Sequence, residues 1–254
     1  QLLLKGSDVK WVGAQTRLAK ALGVPQRADV KAIVDKANAD TVVPRTTVIG
    51  KQTANILRDP TRLNESAMGN LVADAMRAKY SDVEAAITNS GGLRADLFFA
   101  PSPAGEKEGE ITYGEVFAVL PFGNATVIET LTGAQLTEAL LNGFSPVCNP
   151  QIATGRFPQV SGLTLKFHCN GTTPVVDSIQ KVGPGGELTP VGPTDTVRFV
   201  TNDFMFTGGD GYTVFANGTD VLQPGDALLD VTIEYITAHS PVAPVVEGRI
   251  VRTP

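Results

Sequence analysis

The stretch NESAMGNLVADAMRAKYSDVEAAITNSGGLR, Asn64 to Arg94, passes from a helical pattern to an extended one and then into a glycine turn. Met68, Leu71, Val72, Ala75 and Met76 recur at i, i+3, i+4, i+7 and i+8, which places them on one buried face of a helix running to about Lys79. Asn64 or Ser66 can cap its N-terminus, because a short polar side chain satisfies a backbone N–H that the first turn leaves unpaired. Ala85 to Thr88 reads as a compact apolar strand. Asn89-Ser90-Gly91-Gly92 then supplies residues that tolerate positive φ, so the chain turns sharply there.

Upstream, Thr46 to Lys51 reads as a short strand. Arg27 to Asp40 is expected to form an amphipathic helix, with Val30, Ile33, Val34 and Ala37 on one face, Asp29 near the start and charges opposite. Residues 1–45 read as a connector. Lys10-Trp11-Val12 arrives before any cap signal, so the chain is expected to begin inside a longer protein. Residues 46–254 are expected to form one domain.

Downstream, Thr112 and Glu115 have capping-box spacing and open a short helix, Val116 to Val119, that must stop before Pro121. A strand is expected from Ala125 to Thr130. Thr132 and Gln135 repeat the capping box, and Leu136, Leu140 and Leu141 give the next helix an apolar face that Gly143 is expected to end. Gly162 to Phe167 and Thr196 to Thr201 alternate as half-buried strands do, with a hairpin-like loop at Gly183-Pro184-Gly185-Gly186 between them. Asp226 is expected to cap a last helix through about Ala238, and Val245 to Val251 to return as an edge strand. Helices and strands interleave without a βαβ rhythm. The fold class expected is therefore α+β with mixed sheets.

The chain has 254 residues, 42% of them hydrophobic and 19% charged, enough for a single large core. With 26 acidic against 21 basic residues and a net charge of -5, it offers no electrostatic footprint for polymeric nucleic acid. No apolar run reaches the roughly 18 residues of a spanning helix. Cys148 and Cys169 could close a loop, which would contribute about 3 kcal/mol in an oxidising compartment, or remain two small reduced thiols. Two cysteines alone leave both readings open.

A metal pair of the kind that commonly serves phosphate-ester hydrolysis needs clustered histidine and acidic ligands. Only His168 and His239 exist, and neither lies in an acid-histidine motif. No metal site and no cofactor are expected within this chain. Ser90 lacks the preceding glycine of a nucleophile elbow, and no Gly-Lys-Ser/Thr follows the glycines to make a phosphate loop. A strand ending in a glycine turn does expose backbone N–H groups, and Arg94 could grip an anion beside them. Phe122 and Phe204 each sit where the chain leaves regular structure beside glycines. A lone phenylalanine is ordinarily core, but two such rings facing one cleft would sandwich a flat heterocycle, at roughly 1–3 kcal/mol per ring.

Five segments in order carry a family resemblance. They are Met68 to Met76, Ile87 to Arg94, Ile111 to Asn124, Gln159 to Gly162, and Asn202-Asp203-Phe204 with Gly208 to Tyr212. Together they resemble the C-terminal, substrate-binding domain of the 5′-nucleotidase and UDP-sugar hydrolase family, over roughly residues 46 to 250. The resemblance implies an extracellular, periplasmic or wall-associated hydrolase. It also implies a partner, an N-terminal metallophosphoesterase half of the same protein with two divalent metal ions, and a nucleoside 5′-phosphate or related nucleotide as substrate. Carried over by position, Phe122 and Phe204 would stack the base and Asp210 would accept hydrogen bonds from the ribose hydroxyls. Asn89 and Arg94 would approach the phosphate, and Asn124 would meet the base edge. The chain alone is expected to be catalytically inactive. One departure is Asn64, where many members carry an arginine before the glutamate matching Glu65; Arg62 or Arg58 are the candidates to replace it. The alternative reading is a cell-surface nucleoside-binding or interaction module without a catalytic role.

Overall fold

The computed structural model describes residues 2–5, 8–12, 25–101 and 105–254. It divides into two compact units, Gln1–Val43 and Pro44–Pro254. In the first, β1 (Leu2–Lys5) and β2 (Asp8–Val12) pair antiparallel. Helix α1 (Ala28–Thr46) starts where the pattern predicts but runs beyond Asp40 and through Pro44. Lys36 pairs with Asp40 at 2.7 Å and Lys31 with Asp35, so i,i+4 ion pairs support the exposed turns. The apolar face of Val30, Ile33 and Val34 stands exposed.

The second unit runs β3 (Val48–Lys51), α2 (Ala67–Lys79), β4 (Ala85–Asn89), β5 (Glu110–Thr112), α3 (Tyr113–Val119), β6 (Thr126–Thr132) and α4 (Gly133–Cys148). It continues with β7 (Pro158–Ser161), β8 (Leu163–Asn170), β9 (Thr173–Val182), β10 (Leu188–Pro190) and β11 (Thr196–Asn202). The short α5 (Asp203–Phe206), β12 (Thr219–Leu222), α6 (Leu228–Ala238) and β13 (Ile250–Arg252) complete it.

A five-stranded sheet has the order β12-β6-β11-β4-β7, a four-stranded sheet the order β10-β9-β8-β13, and β3 pairs with β5. Strand β4 is parallel to β11 and antiparallel to β7, so the large sheet is mixed and the fold is α+β. Alternation along β4 explains its unbroken apolar run. Ala85 and Ile87 enter one core with Phe199, Phe144 and residues of β8 and β9, while Ala86 enters the other with α2 and α6. A strand buried on both faces has no polar side to show in its sequence.

Ser66 is the cap of α2, its hydroxyl accepting from the Gly69 N–H at 3.0 Å. Both capping boxes form, Thr112 with Glu115 and Thr132 with Gln135. Three expectations are corrected. Helix α4 continues past Gly143 to Cys148, because that glycine serves a close approach: a Cβ there would lie 2.6 Å from Tyr212 Oη and 2.8 Å from Pro158 Cδ. Asp226 does not cap α6, whose N-cap is Ala227 without a side-chain bond; its carboxylate accepts from the Tyr80 hydroxyl at 2.8 Å instead. The tail forms only β13, parallel to β8 at the sheet edge, and Val245 and Val246 lie outside it, exposed. Cys148 and Cys169 are joined in a disulfide that ties the end of α4 to β8. Next to it, Phe144 stacks on Phe167 with ring centroids 4.0 Å apart.

Candidate functional site

Strand directions bring the candidate residues together. Parallel strands β4 and β11 end at the same edge of the sheet, with Asn89 and Asn202 as their last residues. Antiparallel β6 begins there, Thr126 opposite Asn202, and antiparallel β7 begins there too, Pro158 opposite Asn89. The segments leaving β4 and β11 and those entering β6 and β7 therefore converge. They enclose an open cleft of about 520 Å³. Asn89, Arg94, Phe122, Asn124, Phe204 and Asp210 all line it, joined by Arg62, Gly91, Gly92, Ala153 and Gly155.

Each side chain has a local cause for its position. The turn after β4 is a single 3-10 turn, Ser90–Gly92, whose Ser90 hydroxyl is spent on structure: it donates to the Phe157 carbonyl at 2.9 Å and accepts from Gln159 Nε2 at 3.0 Å. His168 and His239 bond Asp177 and the Tyr235 carbonyl instead, so no histidine stands beside Ser90 to activate it. Phe122 and Phe204 are 59% and 42% exposed, whereas Phe144, Phe157, Phe167, Phe199 and Phe215 are fully buried. The two rings that the cleft presents are thus not core. Gly209 packs closely against Phe204, where a Cβ would come within 2.6 Å of the ring atoms Cε1 and Cζ.

Asp210 holds a left-handed backbone conformation, φ 53°, between Gly209 and Gly211. Its carboxylate accepts from Asn89 Nδ2 at 2.7 Å, and Asn142 Nδ2 donates to its carbonyl at 3.1 Å. One carboxylate oxygen is thereby engaged, and an ionised carboxylate has acceptor capacity to spare. Arg94 donates to the Gly91 carbonyl at 3.3 Å and places its guanidinium 5.6 Å from the centre of the Phe122 ring. Arg62 has no ion-pair partner among the described residues and also sits at positive φ, 59°. Partial burial, then the charges of Arg94 and Arg58, press its guanidinium below the ordinary arginine value, while Asp210 opposes them. Positive charge gathered in this way favours an anion.

The geometry distinguishes Arg62 from Arg58. Arg62 lines the cleft, whereas Arg58 lies 3.6 Å from Asp96. Asn64 itself donates to Asp59 at 3.0 Å. Asn202, buried behind the cleft, and the Ala153–Gly155 wall carried no chemical signal that would have singled them out in the sequence. Among the described residues, no group of three His, Cys, Asp or Glu side chains comes together to hold a metal ion. The described residues do not fit a metal pair.

The family described as 5′-nucleotidase, C-terminal domain, matches residues 42–217. A trifunctional nucleotide phosphoesterase protein of Bacillus subtilis is 38% identical over 202 residues, 76% of this chain and 13% of that protein. A cell wall protein of Listeria monocytogenes is 32% identical over 249 residues, 89% of this chain and 29% of its own length. Among solved structures, a 5′-nucleotidase precursor from Thermus thermophilus superposes with a TM-score of 0.76 at 30% identity, covering 91% of this chain and 44% of that one. The chain thus spans less than half the length of these relatives. No helix among the described residues is long and apolar enough to cross a membrane. The chain belongs to the 5′-nucleotidase C-terminal domain family.

Proposed function

We propose that this chain is the substrate-binding half of a secreted 5′-nucleotidase-type phosphohydrolase, with residues 46–254 as the binding domain and 1–45 as the connector. The observation that carries this reading is the convergence of Phe122, Phe204, Asp210, Asn89, Arg94 and Asn124 on one cleft. A nucleoside base stacks between the two exposed rings, with Asn124 at its edge. The ribose hydroxyls donate to Asp210. The 5′-phosphate meets Arg94, Arg62 and the N–H groups of Gly91 and Gly92, with Asn89 beside it.

Held this way, the ester is presented to an N-terminal metallophosphoesterase half with its two divalent ions, and the contribution of this chain is orientation. A wall-associated or extracellular location is supported by the wall-protein relative and by the disulfide, since such bridges persist in oxidising compartments. The test is direct. With AMP and added divalent metal, the purified chain is expected to bind nucleotide and release no phosphate; release at enzymatic rates would refute the division of labour.

A further inference from the structure

We infer that Asn202 is a positioning residue whose side-chain amide sets the orientation of Asp210 through Asn89, and with it the selection of a ligand bearing ribose hydroxyls. This rests on the nucleoside reading of the cleft. Asn202 is buried at the end of β11 and does not line the large cleft itself. Its Oδ1 accepts from the Met205 backbone N–H at 2.9 Å, capping α5, the helix that carries Phe204.

A backbone N–H can only donate, so this bond decides which end of the amide is which. Nδ2 is turned the other way, where it donates to Thr88 Oγ1 at 3.1 Å and to Asn89 Oδ1 at 3.2 Å. Asn89 must then present its own Nδ2 on the far side, and that group donates to Asp210 Oδ2 at 2.7 Å. Polarity is relayed from one fixed backbone donor to the carboxylate at the cleft. Capping alone needs only an acceptor, which Ser or Asp supplies equally well. The donor half of the amide is surplus to the cap; it holds the end of β4, through the Thr88 hydroxyl and the Asn89 side chain.

Asn202→Asp keeps the size and the capping acceptor but removes the donor. Facing an acceptor, the Asn89 amide loses its hold and no longer aims its N–H at Asp210. Asn202→Ser, which caps without reaching Asn89, is the second variant, in case the first leaves a buried charge that prevents folding. The assay is calorimetric titration of the 254-residue chain and each variant with adenosine and with 2′,3′-dideoxyadenosine, alongside a thermal melt. Wild type is expected to favour adenosine by about tenfold or more, the range for hydrogen bonds to a charged group. In a folded variant that preference falls to near one, while dideoxyadenosine binds within about twofold of wild type, because the stacking rings are untouched. Folded variants that keep the wild-type preference, or that lose both ligands equally, would overturn the role of Asn202 and leave the cleft reading standing. Wild type that binds adenosine without discrimination, or fails to bind it, would overturn the cleft reading and this role together.

Discussion

Replacing Glu129 with glutamine isolates a carboxyl group that the fold holds in an unusual environment. Glu129 lies on β6 between Val127 and Leu131, opposite Phe199, and is 0% exposed. Neither carboxylate oxygen has a hydrogen-bond partner, and Gly218 covers Oε2 so closely that no side chain fits there. Burial, with no compensating charge, pushes the carboxyl from its ordinary 4.5 up to about 8. The folded state therefore holds a proton that the unfolded chain releases above pH 4.5, so this group lowers stability as pH rises from there to about 8, beyond which the loss is complete. At 1.36 kcal/mol per pKa unit, the loss is roughly 3 kcal/mol at pH 7 and about 5 kcal/mol by pH 9. Glu129→Gln is neutral throughout and should escape it. Urea unfolding of both proteins at pH 5, 7 and 9 reads the difference, and every other titrating group cancels. The variant should gain on wild type by roughly 3 kcal/mol or more between the lowest and highest pH. A difference that stays constant with pH would refute the claim that Glu129 is buried without a partner.

Arg62→Ala and Arg94→Ala should each weaken AMP binding by about tenfold while leaving adenosine within about twofold, since a phosphate gains one charge-assisted contact from each guanidinium. Titration with the two ligands checks this, and equal loss for both would remove the arginines from the phosphate seat. Opening the disulfide by Cys148→Ser with Cys169→Ser should reduce unfolding free energy by about 3 kcal/mol, from the loop of sequence separation 21 that it closes. Chemical denaturation measures it, and an unchanged midpoint would show that the bridge adds nothing.

Elements whose causes are local were legible in the sequence. Helix α2 announces itself by the spacing of Met68, Leu71, Val72, Ala75 and Met76, and α3 and α4 by capping boxes whose two halves both form. Misreadings arose where a residue answers to something distant in sequence. Gly143 looks like a helix stop but makes room for Tyr212, and Asp226 looks like a cap but serves Tyr80. The site residues could be named from motif order, yet their meeting depends on β4 running parallel to β11 and on Thr126 standing opposite Asn202. That pairing leaves no trace in local pattern. Asn202 stands out in the sequence only as part of a motif, because what distinguishes it is the direction of an amide. Glu129 was readable in principle: alternation along β6 puts it on the same face as Leu131, an inward position where an acid is out of place.

On the proposed reading, the two exposed rings of the cleft hold one base. Adenosine titrated into wild type and into Phe122→Ala combined with Phe204→Ala tests it. Stacking worth roughly 1–3 kcal/mol per ring predicts that the double variant, still folded by its melt, loses at least about 30-fold in affinity. Adenosine bound equally by the two proteins would contradict the account.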